Sequence, residues 1–396
     1  MIDGGVIWRP ELDEGAARWR NLATGLTRTE FAPRAAETDR AQQYPAQNVQ
    51  CLRESGIASM FLPSEYGGGG APITALAAVI EAIAQGCPST SGFVATLQLG
   101  AFPLLLGGSP AQRARFIPPL VERGEFISFA LSEPEGGSDA AGLVTSAQPE
   151  SGGWRIRGEK CWIGNGSIAR RYIVFAQTRP GSRGEGIGAF VVEGDNPGLL
   201  IDRIEDKMGM RGTVNSNLKL DLGVTADSVI GEIGRALNLA MKTLAVGRIT
   251  VAAQSVGIGM AAFSLAAAHA VERKSFGKAI IDHQGIGFPL ADVATELSAA
   301  RMLVYEAARQ YDRGGDASVI GPMAKLYASE AAHRAVDMAV QTLGGYGYVK
   351  PSPAERLYRD QRATEIYEGT SEIQRLVLAR AIKAAALARA RVDAAN

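Results

Sequence analysis

The spacing of apolar residues changes twice along the chain. Over roughly the first 125 residues apolar positions recur three or four residues apart, as at Leu76, Val79 and Ile83, which is the spacing of a helix face. From about Glu125, short apolar runs and partly alternating segments separated by turn-forming residues predict β-strands. From Gly234 the helical spacing returns in longer segments. The pattern therefore predicts helices, then strands, then helices.

The same pattern predicts where the elements lie. In the first part it predicts a helix opened by residues 27–33 and helices over 46–55 and 72–85. Predicted strands at 126–131, 154–163, 172–178, 189–193, 199–204 and 218–222 suggest a small β-barrel or sandwich. Long helices near 234–272, 285–312, 320–344 and 371–392 are typical of a four-helix bundle. We predict an α+β multidomain chain with an N-terminal all-α domain (1–125), a middle β domain (126–232) and a C-terminal four-helix bundle (233–396).

Composition narrows the function classes. Of the 396 residues 46% are hydrophobic, and 41 basic residues balance 41 acidic ones. Bulk charge therefore gives no reason to expect a nucleic-acid or membrane-surface partner, and this composition excludes intrinsic disorder. Residues 82–112 and 249–271 carry no charge, but prolines and glycines interrupt the first and polar residues the second. We expect both to be buried helices of a soluble protein.

Cysteine and histidine are too sparse for a disulfide framework or a histidine-rich metal site. The three cysteines form no Cys-x-x-Cys pair, and the N-terminus lacks the basic and apolar regions of a signal peptide, so we expect a cytoplasmic protein. Glu330-Ala-Ala-His333 matches half of a di-iron motif, but the sequence has no second copy. We therefore expect no metal site.

Four glycine-containing motifs each have a structural and a functional interpretation. Gly257-Ile-Gly-Met-Ala-Ala lacks the preceding strand of a dinucleotide fingerprint, so close helix packing explains it better. The Gly-Gly-Ser turn at 136–138 is either a plain turn or a cradle for a polar ligand. The glycines at 344–345 either cap a helix or allow close approach. Trp162, beside a glycine turn, either covers a flat cofactor or belongs to the core.

Two charged segments also allow both interpretations. Arg273-Lys-Ser-Phe-Gly-Lys follows a helix, whose dipole favours cations there, although a phosphate clamp is the alternative. In Tyr367-Glu-Gly-Thr-Ser-Glu, Thr370 or Ser371 can cap the following helix. Glu368 then lies in a loop beside an apolar bundle, where partial desolvation would raise its pKa and let it act as a base.

Taken together, these segments resemble the acyl-CoA dehydrogenase flavoprotein family. The number, order and spacing of the motifs carry the resemblance over nearly the whole chain, and the predicted domain order agrees with it. The motifs are Leu-Pro-Ser-Glu-Tyr-Gly-Gly (62–68), Leu-Ser-Glu-Pro-Glu-Gly-Gly-Ser-Asp (131–139), Met-Gly-Met-Arg-Gly (208–212), Arg-Lys-Ser-Phe-Gly (273–277), Gln-Thr-Leu-Gly-Gly-Tyr-Gly-Tyr (341–348) and Ile-Tyr-Glu-Gly-Thr-Ser-Glu-Ile-Gln-Arg (366–375).

The resemblance implies FAD, bound between the β domain and the bundle and completed by a neighbouring subunit of a homo-oligomer, expected to be a tetramer. Implied FAD contacts are Phe129, Leu131, Ser132, Gly137, Ser138, Trp162, Gly164, Arg273, Phe276, Gln284, Gln341, Gly344, Gly345, Thr370 and Glu372. Implied substrate contacts are Ser138, Arg248, Tyr367 and Gly369, with Leu97, Leu99 and Phe102 expected at the floor of the acyl pocket. Glu368 matches the catalytic base, since Gly247 stands where some relatives carry theirs.

The implied chemistry is α,β-desaturation of an acyl-CoA or other acyl thioester. Glu368 would remove the α-proton and the flavin N5 would take the β-hydrogen as hydride, while the Glu368 backbone N–H and a flavin hydroxyl hold the thioester carbonyl. The expected electron acceptor is an electron-transfer flavoprotein.

Two departures from the family pattern keep a second hypothesis open. Gly164 stands where relatives usually carry Thr or Ser, and Ala245 replaces a common Asp that helps to hold the CoA end. The alternative is therefore an oxidase or monooxygenase of the same fold that uses O2 on a CoA or carrier-protein thioester. A non-catalytic scaffold protein is a third hypothesis, against which the retained Glu368 and FAD motifs argue.

Overall fold

The computed structural model describes residues 5–395, and the chain divides into two compact units. One unit spans Leu12–Gly247 and the other combines the N-terminal residues through Glu11 with Arg248 onward. The helical, β and helical order of the elements, together with the family matches described below, confirms the predicted fold class.

The Leu12–Gly247 unit begins with seven helices. They are α1 (Glu14–Leu26), α2 (Ala32–Ala41), α3 (Ala46–Glu54), α4 (Ile73–Ala84), α5 (Pro88–Gly107), α6 (Pro110–Phe116) and α7 (Pro118–Glu122). The prediction of a helix opening at residue 27 was wrong. The helix opens at Glu14, where the Asp13 carboxylate accepts the Ala16 N–H at 2.7 Å. It then passes through a π-helical turn, Thr27–Phe31, which joins α1 to α2.

Seven strands follow and form one sheet. They are β1 (Ile127–Ala130), β2 (Ser146–Glu150), β3 (Gly153–Gly164), β4 (Arg171–Gln177), β5 (Ile187–Glu193), β6 (Leu199–Ile204) and β7 (Asn215–Thr225). Their order is β1-β4-β2-β3-β7-β6, with β5 also paired to β4. The sequence pattern missed β2, because this short strand contains Pro149 and its last three residues are exposed.

Gly100 allows helix α5 to pack closely against strand β1 of the sheet. A Cβ at Gly100 would lie 2.1 Å from the Ile127 carbonyl oxygen, so only glycine lets α5 lie this close to β1. Between Pro88 and Leu104 every residue of α5 is buried except Thr96 and Leu99, which are one helical turn apart.

The other unit is almost entirely helical. It contains α8 (Ala236–Glu272) from Arg248 onward, the hairpin strands β8 (Lys274–Ser275) and β9 (Lys278–Ala279), α9 (Gln284–Asp312), α10 (Ile320–Leu343), α11 (Gly345–Tyr348), α12 (Pro353–Arg362) and α13 (Ser371–Ala395). The four long helices confirm the prediction from apolar spacing, which did not include α11, α12 or the hairpin. At Gly259 an added Cβ would lie 2.7 Å from Leu297 and 3.2 Å from Ala332, so this glycine does serve close helix packing.

Trp8, in the N-terminal segment, is hydrogen-bonded to two side chains of α9 in the same unit. The Trp8 backbone N–H donates to Ser298 Oγ at 3.1 Å, and Arg301 donates to the Trp8 carbonyl at 2.9 Å.

Within residues 5–395, two helices, α5 and α8, are long and apolar enough to cross a membrane. In the fold 72% and 83% of their most apolar windows are buried, as expected of core helices.

Candidate active site

The loop that carries Glu368 is held in an uncommon backbone conformation. Glu368 has φ 53° and Gly369 has φ 93°, and a non-glycine residue in this region is typically strained by about 1–3 kcal/mol. The Gln374 amide donates to the Gly369 carbonyl at 2.7 Å and to the Glu368 carbonyl at 3.3 Å. Thr370 Oγ1 accepts the Ile373 N–H at 3.3 Å and caps α13, so of the two predicted caps it is Thr370 that acts. These bonds fix the backbone of the loop from which the Glu368 side chain extends.

The Glu368 carboxyl group is suited to take up and release a proton near neutral pH. The residue is half-buried, but its Oε2 atom is shielded from solvent and has no hydrogen-bond partner among the described residues. Burial raises the pKa of Glu368 to about 7, although the charges of Arg248 and Lys325 favour the ionised form. A base poised near the working pH is what proton abstraction requires.

Lys325 is a buried cation beside this loop. It lies on α10, is 0% exposed, and its Nζ donates to the Gly369 carbonyl at 2.9 Å. Burial lowers the pKa of Lys325 to about 8, while the carboxylates of Glu368 and Glu365 act in the opposite direction. Lys325 therefore both anchors the loop and supplies positive charge to Glu368.

Two further predicted residues lie in the same unit as Glu368. The Tyr367 hydroxyl donates to Gln254 Oε1 on α8, and burial raises the pKa of Tyr367 well above its usual value. Arg248 is buried, its Nε has no hydrogen-bond partner in the described chain, and burial lowers the pKa of its guanidinium. The structure thus brings Tyr367, Glu368 and Gly369 together with a charged neighbour at Arg248.

In the Leu12–Gly247 unit, Trp162 presents an exposed aromatic ring on a rigid backbone. The residue is 59% exposed and has φ 61° at an irregularity in β3. Its N–H donates to Asn217 Oδ1 and its carbonyl accepts from Asn215 Nδ2, both at 3.2 Å. A large exposed ring held in this way is suited to cover a flat ligand, so the core interpretation of Trp162 was wrong.

A buried ion pair fixes the chain just after β1. Lys160 and Glu133 are almost fully buried, and Lys160 Nζ donates to Glu133 Oε1 at 2.7 Å and to the Leu131 carbonyl at 2.9 Å. Glu133 also accepts the Val144 and Thr145 N–H groups. Burial lowers the pKa of Lys160 to about 8, and its partners lower the pKa of Glu133 despite burial. Ser132, which follows Leu131, is thereby held in place.

The remaining predicted FAD contacts of this unit differ in exposure. Phe129 and Leu131 are buried, and the Phe129 ring packs against Phe175 at 4.8 Å between centroids. Gly137 and Ser138 are exposed, and nothing lies within 4 Å of a Cβ placed on Gly137. Exposed hydroxyl and backbone groups on the 136–138 turn are of the kind that bind the polar tail of FAD, as the exposed ring of Trp162 is of the kind that covers its flat ring.

The predicted FAD contacts of the Arg248-containing unit are mostly exposed. They are Arg273, Phe276, Gln284, Gln341, Gly344, Gly345 and Glu372. Phe276, at 94% exposure, forms the tip of the β8–β9 hairpin together with Gly277. Gly344 has φ 59° directly after α10, which agrees with its interpretation as a helix cap. In the other unit, the expected acyl-pocket residues Leu97 and Phe102 are buried and Leu99 is half-buried.

Sequence reasoning missed three side chains that shape these surfaces: Lys325, Gln374 and Thr96. Lys325 had a detectable signal, because it shares a helix face with the apolar positions Ala328 and Ala332 of α10. Gln374 belongs to the 366–375 motif, but the motif does not show that its amide would bind the carbonyls of the Glu368 loop. No sequence pattern places Thr96 near Gly164.

Comparisons with known proteins decide the family. The family models for the N-terminal, middle and C-terminal domains of acyl-CoA dehydrogenase match residues 13–124, 128–222 and 234–383. The chain belongs to the acyl-CoA dehydrogenase family. Members of this family are FAD-dependent oxidoreductases that act on CH–CH bonds, and this chain is such an enzyme. The resemblance found in the sequence motifs is therefore confirmed.

Individual relatives of this acyl-CoA dehydrogenase family member cover almost the whole chain. It is 40% identical over 373 residues to the mitochondrial short-chain specific acyl-CoA dehydrogenase of Bos taurus, covering 93% of this chain and 90% of the relative. It is similar to the solved butyryl-CoA dehydrogenase of Megasphaera elsdenii, with TM-score 0.92, 35% identity and coverage of 95% and 100%. It is also similar to the prolyl acyl carrier protein oxidase AnaB, with TM-score 0.90, 28% identity and coverage of 94% and 100%.

Proposed function

We propose that this enzyme desaturates the α,β bond of an acyl-CoA, with Glu368 as the base that removes the α-proton. The observation that carries the proposal is the Glu368 carboxyl group. Its Oε2 is buried without a partner, its pKa is raised to about 7, and Gln374 and Lys325 hold its loop.

The residues divide the work of the proposed reaction. Glu368 takes the proton from the substrate α-carbon, and Lys325 and Arg248 stabilise the carboxylate from which the reaction starts. Trp162, Ser132, Ser138 and the backbone around Gly164 would hold FAD, which when bound supplies the acceptor for the β-hydride. The bonds from Gln374 and Lys325 to the loop carbonyls hold the backbone of Glu368 in its uncommon conformation, which limits the reorganisation needed in each turnover.

Flavin bleaching tests this proposal directly. We expect butyryl-CoA, added without oxygen, to bleach the flavin absorption of the parent protein. In Glu368→Gln the flavin stays bound but bleaches at least about 100-fold more slowly, because the amide cannot accept the proton. Glu355→Gln changes a half-buried carboxylate on α12 that pairs with Arg359, and is the matched control. Full bleaching in Glu368→Gln would contradict the role of Glu368.

We infer a short acyl chain as the substrate group. The buried state of Leu97 and Phe102 supports this inference, since the Phe102 ring packs against Phe61 at 6.2 Å rather than lining open space. The names of the short-chain and butyryl-CoA relatives point the same way. In a panel of butyryl-, octanoyl-, isobutyryl- and 3-phenylpropionyl-CoA, we expect butyryl-CoA to bleach the flavin fastest. Faster bleaching by octanoyl-CoA would contradict the inference of a short acyl chain.

For the electron acceptor we propose an electron-transfer flavoprotein. The second candidate is an oxidase acting on a carrier-protein thioester, which Gly164, Ala245 and the similarity to AnaB favour. After anaerobic reduction by butyryl-CoA, admission of air separates the two. Reduced flavin that persists for minutes and is reoxidised by electron-transfer flavoprotein supports the first candidate, whereas reoxidation by air within seconds supports the oxidase.

We also propose a homo-oligomer, a tetramer, located in the cytoplasm. The exposed phenylalanine at the hairpin tip and the exposed Ile382, Leu387 and Val392 of α13 support an assembly that covers them. The three free cysteines, two of them buried, support a reducing compartment. Light scattering should give four times the chain mass, and Phe276→Ser should weaken both assembly and FAD binding. A monomer that binds FAD tightly would contradict the assembly.

A further inference from the structure

Gly164 leaves no open space where it lacks a side chain. A Cβ added to Gly164 would lie 2.7 Å from Cγ2 and 3.3 Å from Oγ1 of Thr96, so the side chain of Thr96 on α5 fills that position. Both residues belong to the Leu12–Gly247 unit. The missing side chain is therefore replaced by one from another element.

The turn that contains Gly164 cannot easily move away from Thr96. Ser128 Oγ donates to the Gly164 carbonyl at 2.8 Å, and the Asn165 N–H donates to the Val214 carbonyl at 2.8 Å. Together with the two asparagine bonds to Trp162, these contacts fix the turn on both sides. A larger residue at 164 would have to displace Thr96 instead.

The Thr96 hydroxyl is available to a ligand. Threonine in a helix commonly donates to the carbonyl four residues earlier, as Thr24, Thr243 and Thr295 do here. Thr96 is half-buried, on the face of α5 that is least buried, and its hydroxyl makes no hydrogen bond within the described chain. The side chain of Thr96 on α5 therefore lies at the Trp162–Asn165 turn of β3, and its hydroxyl has no partner in the described chain.

We propose that Thr96 is a cofactor-positioning residue whose hydroxyl binds the FAD ring at the Trp162–Asn165 turn, in place of the hydroxyl that Gly164 lacks. This inference rests on the proposed function only in taking FAD as the ligand. It assigns to α5, which the sequence motifs leave out of the flavin site, one of the polar contacts that would tune the flavin.

The test compares variants that remove, keep or transfer the hydroxyl. Thr96→Val keeps the shape and should weaken FAD binding about 3- to 10-fold, the value of one hydrogen bond, and shift the flavin absorption bands. Thr96→Ser should bind FAD within about 2-fold of the parent. Gly164→Ser alone should weaken binding because of the close contact, and the double variant Thr96→Ala with Gly164→Ser should restore it.

The outcomes separate this inference from the proposed function. Thr295→Val, which changes an exposed helical threonine on α9, is the control and should leave FAD binding and the flavin spectrum unchanged. If the parent binds FAD but Thr96→Val matches it in dissociation constant, spectrum and midpoint potential, the role of Thr96 is refuted while the desaturase proposal stands. A parent protein that binds no FAD overturns both.

Discussion

Replacing Lys325 by methionine tests how the protein sets the proton affinity of its base. The perturbation removes one of the two cations that favour ionised Glu368, the other being Arg248. An opposite charge nearby typically lowers a carboxyl pKa by about 1 to 3, so the pKa of Glu368 should rise from about 7 to about 8 or higher. At pH 7 the ionised fraction of Glu368 then falls from about one half to about one tenth.

The assay is the pH dependence of kcat/KM with butyryl-CoA. A base works only when it is deprotonated, so activity is lost as pH falls through its pKa, and a raised pKa moves this loss to higher pH. We expect Lys325→Met to be about 5-fold less active at pH 7 and to recover toward the parent near pH 9. Lys383→Met removes an exposed cation of α13 and is the control. An acid limb that stays at the parental pH, in a variant that still binds FAD, would refute the electrostatic role of Lys325.

Two further predictions concern the stability of the Leu12–Gly247 unit, measured as the free energy of unfolding in urea. Lys160→Met leaves Glu133 buried without its counter-ion and should cost about 3–5 kcal/mol, whereas Lys219→Met, which removes an exposed pair, should change stability little; equal effects would contradict the burial argument. Gly100→Ala forces a methyl group against the β1 backbone and should cost about 1–3 kcal/mol or more. Gly25→Ala, in α1 of the same unit, adds a Cβ with nothing within 4 Å and should be neutral or stabilising. A neutral Gly100→Ala would show that α5 can move off the sheet.

The amino-acid sequence alone was enough to predict the classes of the elements and most of their positions. Apolar spacing gives the long helices within a few residues, since a buried helix face repeats every three to four positions regardless of what it packs against. Prediction from the sequence fails where an element has few apolar positions or none at a regular spacing. The prediction missed β2, because the exposed residues of this strand include a proline. It placed the first helix start at residue 27, because the segment that follows the Asp13 cap is mostly polar and shows little apolar spacing.

The motifs also identified the family and indicated Glu368 as the candidate base, because the order of glycine turns and polar clusters can be read directly from the sequence. The surroundings of that carboxyl group, by contrast, depend on the folded arrangement of residues far apart in the chain. Lys325 lies 43 positions before Glu368 and Thr96 lies 68 before Gly164, and helix packing brings each pair together. Proton affinity and ligand contacts depend on burial and on distances of a few ångströms between such residues, and these quantities exist only once the chain is folded.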